Sequence, residues 1–392
     1  MKLPHAEWRR RPELRRLLEV LGAPAGETRF VGGCVRDTLL RLPVSDVDLA
    51  TRLPPQEVLD RLRGSAIKAV PTGIAHGTVT AVVAGRPVEV TTLRRDVSTD
   101  GRRATIAYTE DWREDAARRD FTINALSAEP KSGAIHDYFG GLADLEVRRV
   151  RFIGDALTRI AEDHLRILRF FRFHARFGEG APDEDGLEAC AARANDLMAL
   201  SRERIADELL KLLALPDPAP TVRLMIERGI LRPVLPEITE AAALDRLVSA
   251  ERAAAVEPHP LRRLAALLPP DPELAGTIGT RLRLSNKAVK RLALGAGRTT
   301  GDPRQLAYRI GTEAATDRLL LSGVSPVAIA GWQPPRLPLS GGDLIAMGLT
   351  AGPEVARTLQ AIEREWVEGG FPDRAAVRAI ARAKVEAALA AR

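Results

Sequence analysis

β-branched runs stop near residue 150 of this 392-residue chain, and that break constrains the fold more than any other feature. Before it, short strand-like runs alternate with helical ones. After it, helical periodicity dominates, and prolines punctuate at 216–219, 269–272 and 334–338. The pattern predicts an α/β head followed by a long helical arm. At roughly 150 residues per domain, the length allows two to four domains. In the head, RPELRRLLEVL (11–21) reads as a helix ending at Gly22. TRFVGG then reads as a strand entering a glycine turn, CVRDTLLRL as a helix and VSDVDLAT as a strand. PPQEVLDRL opens a helix with prolines, and AIKAV is a further β-rich run. GTVTAVVA and RPVEVTTL form a hairpin through a short AGRP turn. Residues 94–107 are polar and contain Asp100-Gly101, so they read as a loop. EDWREDAARRDFTINAL combines a helical stretch with a strand-like one.

Composition excludes some classes. With 45% apolar and 28% charged residues the chain can bury a core, which excludes global disorder. The 58 basic residues against 52 acidic give +6, and only 7 of the 58 are Lys, leaving 51 Arg. Arg is the better phosphate ligand because its planar fork bonds bidentately. A GC-rich genome also favours Arg codons, and on the total alone that is the reading taken. Cys34 and Cys190 make no disulfide framework and no CxxC. No apolar run has membrane-span length, and MKLPHAEWRR has no apolar core like a signal peptide's. The expected place is the cytoplasm, with no membrane and no evident protein partner.

The head carries one constellation of chemistry. Asp46 and Asp48 lie two apart in a predicted strand, so both carboxylates project from one face. Such a pair repels itself unless a cation intervenes, which suits Mg²⁺. Gly32 and Gly33 before a helix offer backbone N–H groups to an anion, and Arg36 adds charge one turn on. Glu89, flanked by outward-alternating Val88 and Val90, offers a third carboxylate. Taken singly, Asp-x-Asp fits a solvated turn and Glu89 a solvent-facing acid. Together in a small α/β unit they suggest two-metal phosphoryl transfer, with Asp46, Asp48 and Glu89 catalytic and Asp46 and Asp48 on the metal.

These residues stand in a longer resemblance. FVGGCVRDTLLRLPVSDVDLAT resembles the head motif of the class II nucleotidyltransferases of the DNA polymerase β superfamily, the group of tRNA CCA-adding enzymes and bacterial poly(A) polymerases. The likeness continues in order through PTGIAHGTVTAVV, VEVTTLRRD, EDAARRDFTINAL, IHDYFGGLADL, IAEDHLRILRFFRF and SRERIADELLKLL, covering most of residues 28–214. LRLSNKAVKRL and LSGGDLIAMGLTAGPEV resemble body and tail segments more loosely. The resemblance implies a polymerase β-like head with a small mixed sheet, then an all-α neck, body and tail. We place these at residues 1–140, 141–215, 216–300 and 301–392. It implies Arg119, Asp120 and Asn124 at the nucleotide's ribose and phosphates. It also makes Asp137 and Asp144, around Gly140-Gly141, a hinge-like joint, and Glu203, Arg204 and Glu208 a brace.

Asp163 and Arg166 are three apart in a predicted helix, hence surface neighbours. Cytosine and adenine each present an amino donor beside a ring-nitrogen acceptor, whereas guanine and uracil present a carbonyl and an N–H there. A carboxylate only accepts and a guanidinium only donates, so this pair can hold C or A and reject G and U. An isolated D-x-x-R is also a common intrahelical ion pair. Arg169 and Arg172 continue the series but rotate away, so Arg172 lies opposite Asp163. The helix is otherwise apolar, hence buried, and its arginines need anions, which a triphosphate or RNA backbone would supply. The resemblance makes Asp163 and Arg166 the base readers and puts Arg169 and Arg172 in the nucleotide site.

Poly(A) polymerases of this family usually carry an Arg/Lys-rich segment where this chain has PTGIAHGTVTAVV. Enzymes that add only CC lack a flexible loop after the hairpin, which residues 94–107, with Asp100, Arg102 and Arg103, supply here. The resemblance therefore implies full CCA addition to tRNA from CTP and ATP with Mg²⁺, and no phosphohydrolase activity. A poly(A) polymerase, an enzyme adding only the terminal A and a non-catalytic tRNA-binding protein are the rivals.

Overall fold

The computed structural model describes residues 1–100, 103–298 and 301–390. They form two compact units, Met1–Leu212 with Pro220–Pro236, and Leu213–Ala219 with Glu237–Arg392. Among the described residues no helix is long and apolar enough to cross a membrane.

The first unit is built on a seven-stranded sheet. Its strands are β1 (Thr28–Val31), β2 (Asp48–Thr51), β3 (Lys68–Gly73), β4 (Thr78–Val83), β5 (Arg86–Thr92), β8 (Ser127–Ala128) and β9 (Ile135–His136), in the order β3-β4-β5-β2-β1-β8-β9. β2 runs parallel to β5, and the other pairs are antiparallel. The β4–β5 hairpin forms as its sequence predicts. Its two-residue turn, Ala84-Gly85, holds both residues at positive φ, 49° and 76°, as the twist of a tight hairpin demands. Helices α1 (Pro12–Val20), α2 (Gly33–Leu39) and α3 (Pro55–Gly64) also match expectation. Phe30, Leu49, Val79, Ala81 and Val90 are buried in the core, and Trp8 meets Phe30 edge-on at 4.8 Å.

Residues 94–107 depart from the expected loop. They form a second sheet, in which β6 (Arg94–Asp100) pairs antiparallel with β7 (Arg103–Tyr108) and Asp100 stands opposite Arg103. The residue types explain the outcome. Val97, Thr99, Thr105 and Ile106 are β-branched, and Asp-Gly is a preferred hairpin closure rather than a loop marker. Arg102 lies outside the described residues. The stretch after α4 (Trp112–Ala117) also differs, because Thr122–Asn124 is a 3₁₀ turn and not a strand. Only Ser127 and Ala128 reach the sheet, opposite Val31 and Phe30.

The chain then becomes helical, with α5 (Gly141–Glu146), α6 (Ala156–Glu162), α7 (Leu165–Phe177), α8 (Glu184–Ala192), α9 (Arg202–Leu213) and α10 (Ala219–Glu227). The segment expected to act as a hinge before α5 is densely hydrogen-bonded in this structure. Asp137 accepts from the backbone N–H groups of Phe139, Gly140, Gly141 and Leu142, and buried Asp144 holds Thr122, Arg149 and Arg151. Gly140 has φ 79°, and a Cβ on Gly141 would lie 2.3 Å from the Thr122 carbonyl oxygen. The glycines therefore permit close packing rather than freedom. Gly141→Ala is expected to destabilise the unit by about 1–3 kcal/mol through overpacking. A denaturant titration with an unchanged midpoint would contradict this.

Helix α7 joins the head through aromatic packing. Phe170 stacks on Phe152 at 5.5 Å, and Phe121 touches both Phe152 at 5.0 Å and Phe173 at 5.2 Å. These rings, with Ile167, Leu168 and Phe171, bury the apolar faces that the sequence predicts.

The second unit continues with α11 (Ala242–Ala253), α12 (Pro260–Leu267), α13 (Pro272–Arg281), α14 (Asn286–Ala296), α15 (Pro303–Ile310), α16 (Thr312–Leu321), α17 (Gly341–Ala346), α18 (Pro353–Glu368) and α19 (Arg374–Ala390). Trp366, Ile362, Val377 and Val385 form a core for its last helices. Buried Arg262 bridges Glu251 and Asp317, and buried Arg263 holds Glu251 and the carbonyl of Leu213. Some of the arginine excess thus serves the interior.

Candidate active site

The sheet order brings the predicted constellation to one end of β1 and β2. These strands are antiparallel, with Phe30 opposite Leu49, so the glycine turn leaving β1 sits beside Asp48 at the start of β2. Gly32 adopts φ 67°, and a Cβ there would lie 3.0 Å from the Arg119 guanidinium. Only glycine allows both the turn and that approach. Asp48 lies opposite Glu89 across the parallel β2–β5 pair. Asp46, by contrast, precedes the strand, is exposed and accepts a bond from Ser45. The alternation survives nonetheless, because Val47 and Leu49 are buried between and beyond the two acids.

A cavity of 440 Å³ opens at this end of the sheet. Gly32, Gly33, Arg36, Asp48, Arg119, Asp120, Asn124, Asp163, Arg166, Arg169 and Phe173 line it. The structure thus gathers residues from three separate sequence blocks. Arg172 is not among them. It turns to Glu208 at 2.6 Å and lies over the Phe173 ring at 4.5 Å. Phe173 also borders the cavity, and a ring in an apolar run gives no sequence sign of this. Arg36 lies over the Phe177 ring at 4.0 Å and also bonds Asp37 and Asn124.

The arginines find partners within the protein, which corrects the expectation that a substrate anion supplies them. Arg169 bonds Asp120 at 2.5 Å and 2.8 Å. Burial alone would raise the Asp120 carboxyl, but the Arg169 charge, with bonds from Asn124, Arg169 and the Phe121 N–H, holds it below the usual carboxylate range.

Asp163 and Arg166 both face the cavity, yet not as neighbours on one helix. Asp163 caps the end of α6 in extended backbone, and α7 begins at Leu165. Asp163 pairs with Arg204 of α9 at 2.8 Å. Arg166 pairs with Glu162 at 2.5 Å and donates to the carbonyls of Arg159 and Arg118. The simple ion-pair alternative is therefore absent, and each group is anchored separately. Arg204 and Glu208 show α9 bracing this region, as the sequence implies.

The carboxylates fit a divalent cation. Burial pushes the Asp48 carboxyl up to about 6, and the nearby charges of Glu89 and Asp46 add to this against the opposing Arg119. Crowded acids of this kind invite a hard cation with oxygen ligands. Among the described residues no three His, Cys, Asp or Glu side chains form a closed metal cluster. An open carboxylate pair completed by water and phosphate oxygens suits a hard divalent cation.

A small mixed sheet with an arginine-lined cavity beside paired acids is the arrangement of a nucleotidyltransferase head. Comparison with known families agrees. The Poly A polymerase head domain matches residues 28–151, and the family described as "Probable RNA and SrmB- binding site of polymerase A" matches residues 181–242. The mouse mitochondrial CCA tRNA nucleotidyltransferase 1 is 32% identical over 381 residues, covering 91% of this chain and 87% of that one. A CCA-adding enzyme of Latilactobacillus sakei is 31% identical over 385 residues, covering 91% and 94%. The crystal structure of the Bacillus stearothermophilus CCA-adding enzyme in complex with CTP superposes with a TM-score of 0.70 at 28% identity, covering 92% and 94%. The chain belongs to the nucleotidyltransferase family of tRNA CCA-adding enzymes and poly(A) polymerases.

Proposed function

We propose that this protein adds C, C and A to the 3′ end of tRNA, taking CTP and ATP as substrates and using no nucleic-acid template. The observation that carries this reading is that one cavity is lined by an acceptor-only group, Asp163, a donor-only group, Arg166, and the Gly32–Gly33 turn with Arg36 and Arg119. Asp163 accepts from the exocyclic amino group of C or A, and Arg166 donates to the adjacent ring nitrogen. G and U would set carboxylate against carbonyl and guanidinium against N–H, a repulsive mismatch at both groups. Arg36 and Arg119 bind the triphosphate, helped by backbone N–H groups after Gly32. Asp120 and Asn124 lie against the ribose side, and Arg169 is held among them by Asp120. The tRNA 3′-oxygen attacks the α-phosphorus, the α–β phosphoanhydride bond breaks, and pyrophosphate leaves. A divalent cation, read as Mg²⁺, would be held by Asp46 and Asp48 with Glu89 beside them, and would make the 3′-hydroxyl more acidic and screen the phosphate charge.

The division into head (1–140), neck (141–215), body (216–300) and tail (301–392) is our reading of the chain. The helical arm binds the acceptor end and elbow of tRNA through phosphates, so affinity falls steeply with salt. Two buried unpaired thiols, Cys34 and Cys190, suit a reducing compartment, and we place the protein in the cytoplasm.

One experiment tests the activity. A tRNA lacking its CCA end is incubated with CTP, ATP or both, and the products are sized. The expected result is two added residues with CTP alone and three with both. Long tails with ATP alone indicate a poly(A) polymerase. One added residue, independent of CTP and only on tRNA ending in CC, indicates an A-adding enzyme. No extension leaves a tRNA-binding protein.

A further inference from the structure

Asp115 lies outside the cavity, yet it touches what builds it. This α4 carboxylate is 3% exposed. Its Oδ1 accepts from Arg118 Nε at 3.0 Å and Nη2 at 2.8 Å, and from the backbone N–H of Arg94 at 3.3 Å. Its Oδ2 accepts from Arg119 Nη2 at 3.3 Å. Arg119 lines the cavity, and its other terminal nitrogen reaches the Asn124 carbonyl at 3.4 Å. The Arg118 carbonyl in turn accepts from Arg166 at 3.0 Å. Arg94 is the first residue of β6, the root of the second sheet. One carboxylate therefore joins a cavity-lining cation, the backbone donor at the root of a hairpin, and Arg118, whose backbone carbonyl accepts from a second cavity guanidinium, that of Arg166.

The charge state suits this role. Burial alone would raise the Asp115 carboxyl, but the Arg119 and Arg118 charges and the bonds from Arg118 and Arg94 hold it below the usual range. The neighbouring guanidinium charges thus favour its anionic form. An arginine with four rotatable bonds reaches one place only if something fixes it, and a buried carboxylate does so without blocking the cavity. No other carboxylate makes a hydrogen bond to Arg119 among the described residues.

We propose that Asp115 is a positioning residue for the nucleotide triphosphate, acting through Arg119, and that it ties the seat of Arg119 to the root of the β6–β7 hairpin. This rests on the proposed function only in taking Arg119 as a triphosphate ligand. Displacing the hairpin root then shifts the carboxylate and, with it, the guanidinium facing the phosphates.

The test is a double-mutant cycle on the full chain, using Asp115→Asn, Arg119→Ala and the double variant. Asp115→Asn is nearly isosteric and removes the charge. It should raise KM for CTP and ATP by about tenfold, the effect of a lost charge-assisted hydrogen bond, while kcat stays near the parent's. Arg119→Ala should raise KM at least as much. The double variant should exceed Arg119→Ala by no more than about twofold, because the carboxylate acts through the missing side chain. Where Asp115→Asn does not fold, Asp115→Glu keeps the charge, displaces it by one methylene, and should raise KM in the same coupled way. An unchanged KM for the Asp115 variant, or effects that multiply fully in the double variant, overturns the proposal. A merely structural Asp115 would lower the unfolding midpoint without this coupling. Arg119→Ala with unchanged KM overturns both the Arg119 assignment and the proposal. Reading the same cycle as CTP binding separates failure of the proposal from failure of CCA addition, since binding needs no tRNA.

Discussion

Asp48→Asn is expected to abolish nucleotide incorporation, leave tRNA binding intact and make the cation-free protein more stable. The loss follows from removing an oxygen ligand where phosphate charge must be met, a matter of several kcal/mol or about a thousandfold in rate. The gain in stability follows from the carboxyl itself. Burial first, then Glu89 and Asp46, raise it to about 6 from 3.8, so the fold prefers its protonated form. A carboxyl raised on folding binds its proton more tightly in the native state, so native stability falls as pH climbs from about 4 through 6. At neutral pH the deficit is up to about 3 kcal/mol, which asparagine removes. Below about pH 4, where the carboxyl is protonated in both states, the variant and parent should converge. Thermal unfolding across this range, with and without Mg²⁺, reads the effect, and added Mg²⁺ should narrow the gap by stabilising the parent. Equal stability at every pH would refute the crowded-carboxylate account. Retained incorporation would remove Asp48 from the reaction.

The second large effect concerns fidelity. Asp163→Ala should admit UTP and GTP while CTP and ATP are still used. A site that rejects a base by setting carboxylate against carbonyl and guanidinium against N–H discriminates steeply, so loss of the acceptor should lower the preference by about a hundredfold or more. Arg204→Ala supplies a control of a different kind. It leaves the carboxylate in place and removes its 2.8 Å anchor, so the preference should soften less. Incorporation of each of the four nucleotides into tRNA with a partial 3′ end measures both. Unchanged rejection of UTP and GTP in Asp163→Ala would end the base-reading assignment.

The two effects differ in how far the sequence foretold them. Asp48 is legible because alternation along one strand pairs it with Asp46, whereas its place opposite Glu89 comes from the parallel β2–β5 register, which no local pattern encodes. The glycine turn was legible because a strand, two glycines and a helix leave little choice of geometry. Asp163 and Arg166 were legible as chemistry but not as placement. Nothing in Glu162-Asp163-His164 marks a helix break, and Asp163 finds Arg204 across 41 residues of chain. The carboxylates of Arg169 and of Arg172, the latter outside the cavity, are hidden for the same reason. Asp120 serves Arg169 from 49 residues away, and Glu208 meets Arg172 from 36. Asp115 could have been noticed, since it stands three and four residues before Arg118 and Arg119 on one helical face. The hairpin at 94–107 was missed for a different reason. Its polar residues suggest a loop, whereas its β-branched residues favour the pairing of β6 with β7.

The arginines around the cavity each come with an acid of their own: Arg36 with Asp37, Arg119 with Asp115, Arg166 with Glu162, Arg169 with Asp120. The dipoles that will face an arriving nucleotide are thus oriented during folding, while the chain is also burying its core. A guanidinium already held by its own acid loses less freedom on binding an anion than a free one would. Fixity of this kind also separates two dependences on ionic strength. Affinity for the long RNA polyanion varies with the counterions it sheds, whereas the cavity, already balanced by its own neighbours, holds its small ligand by geometry.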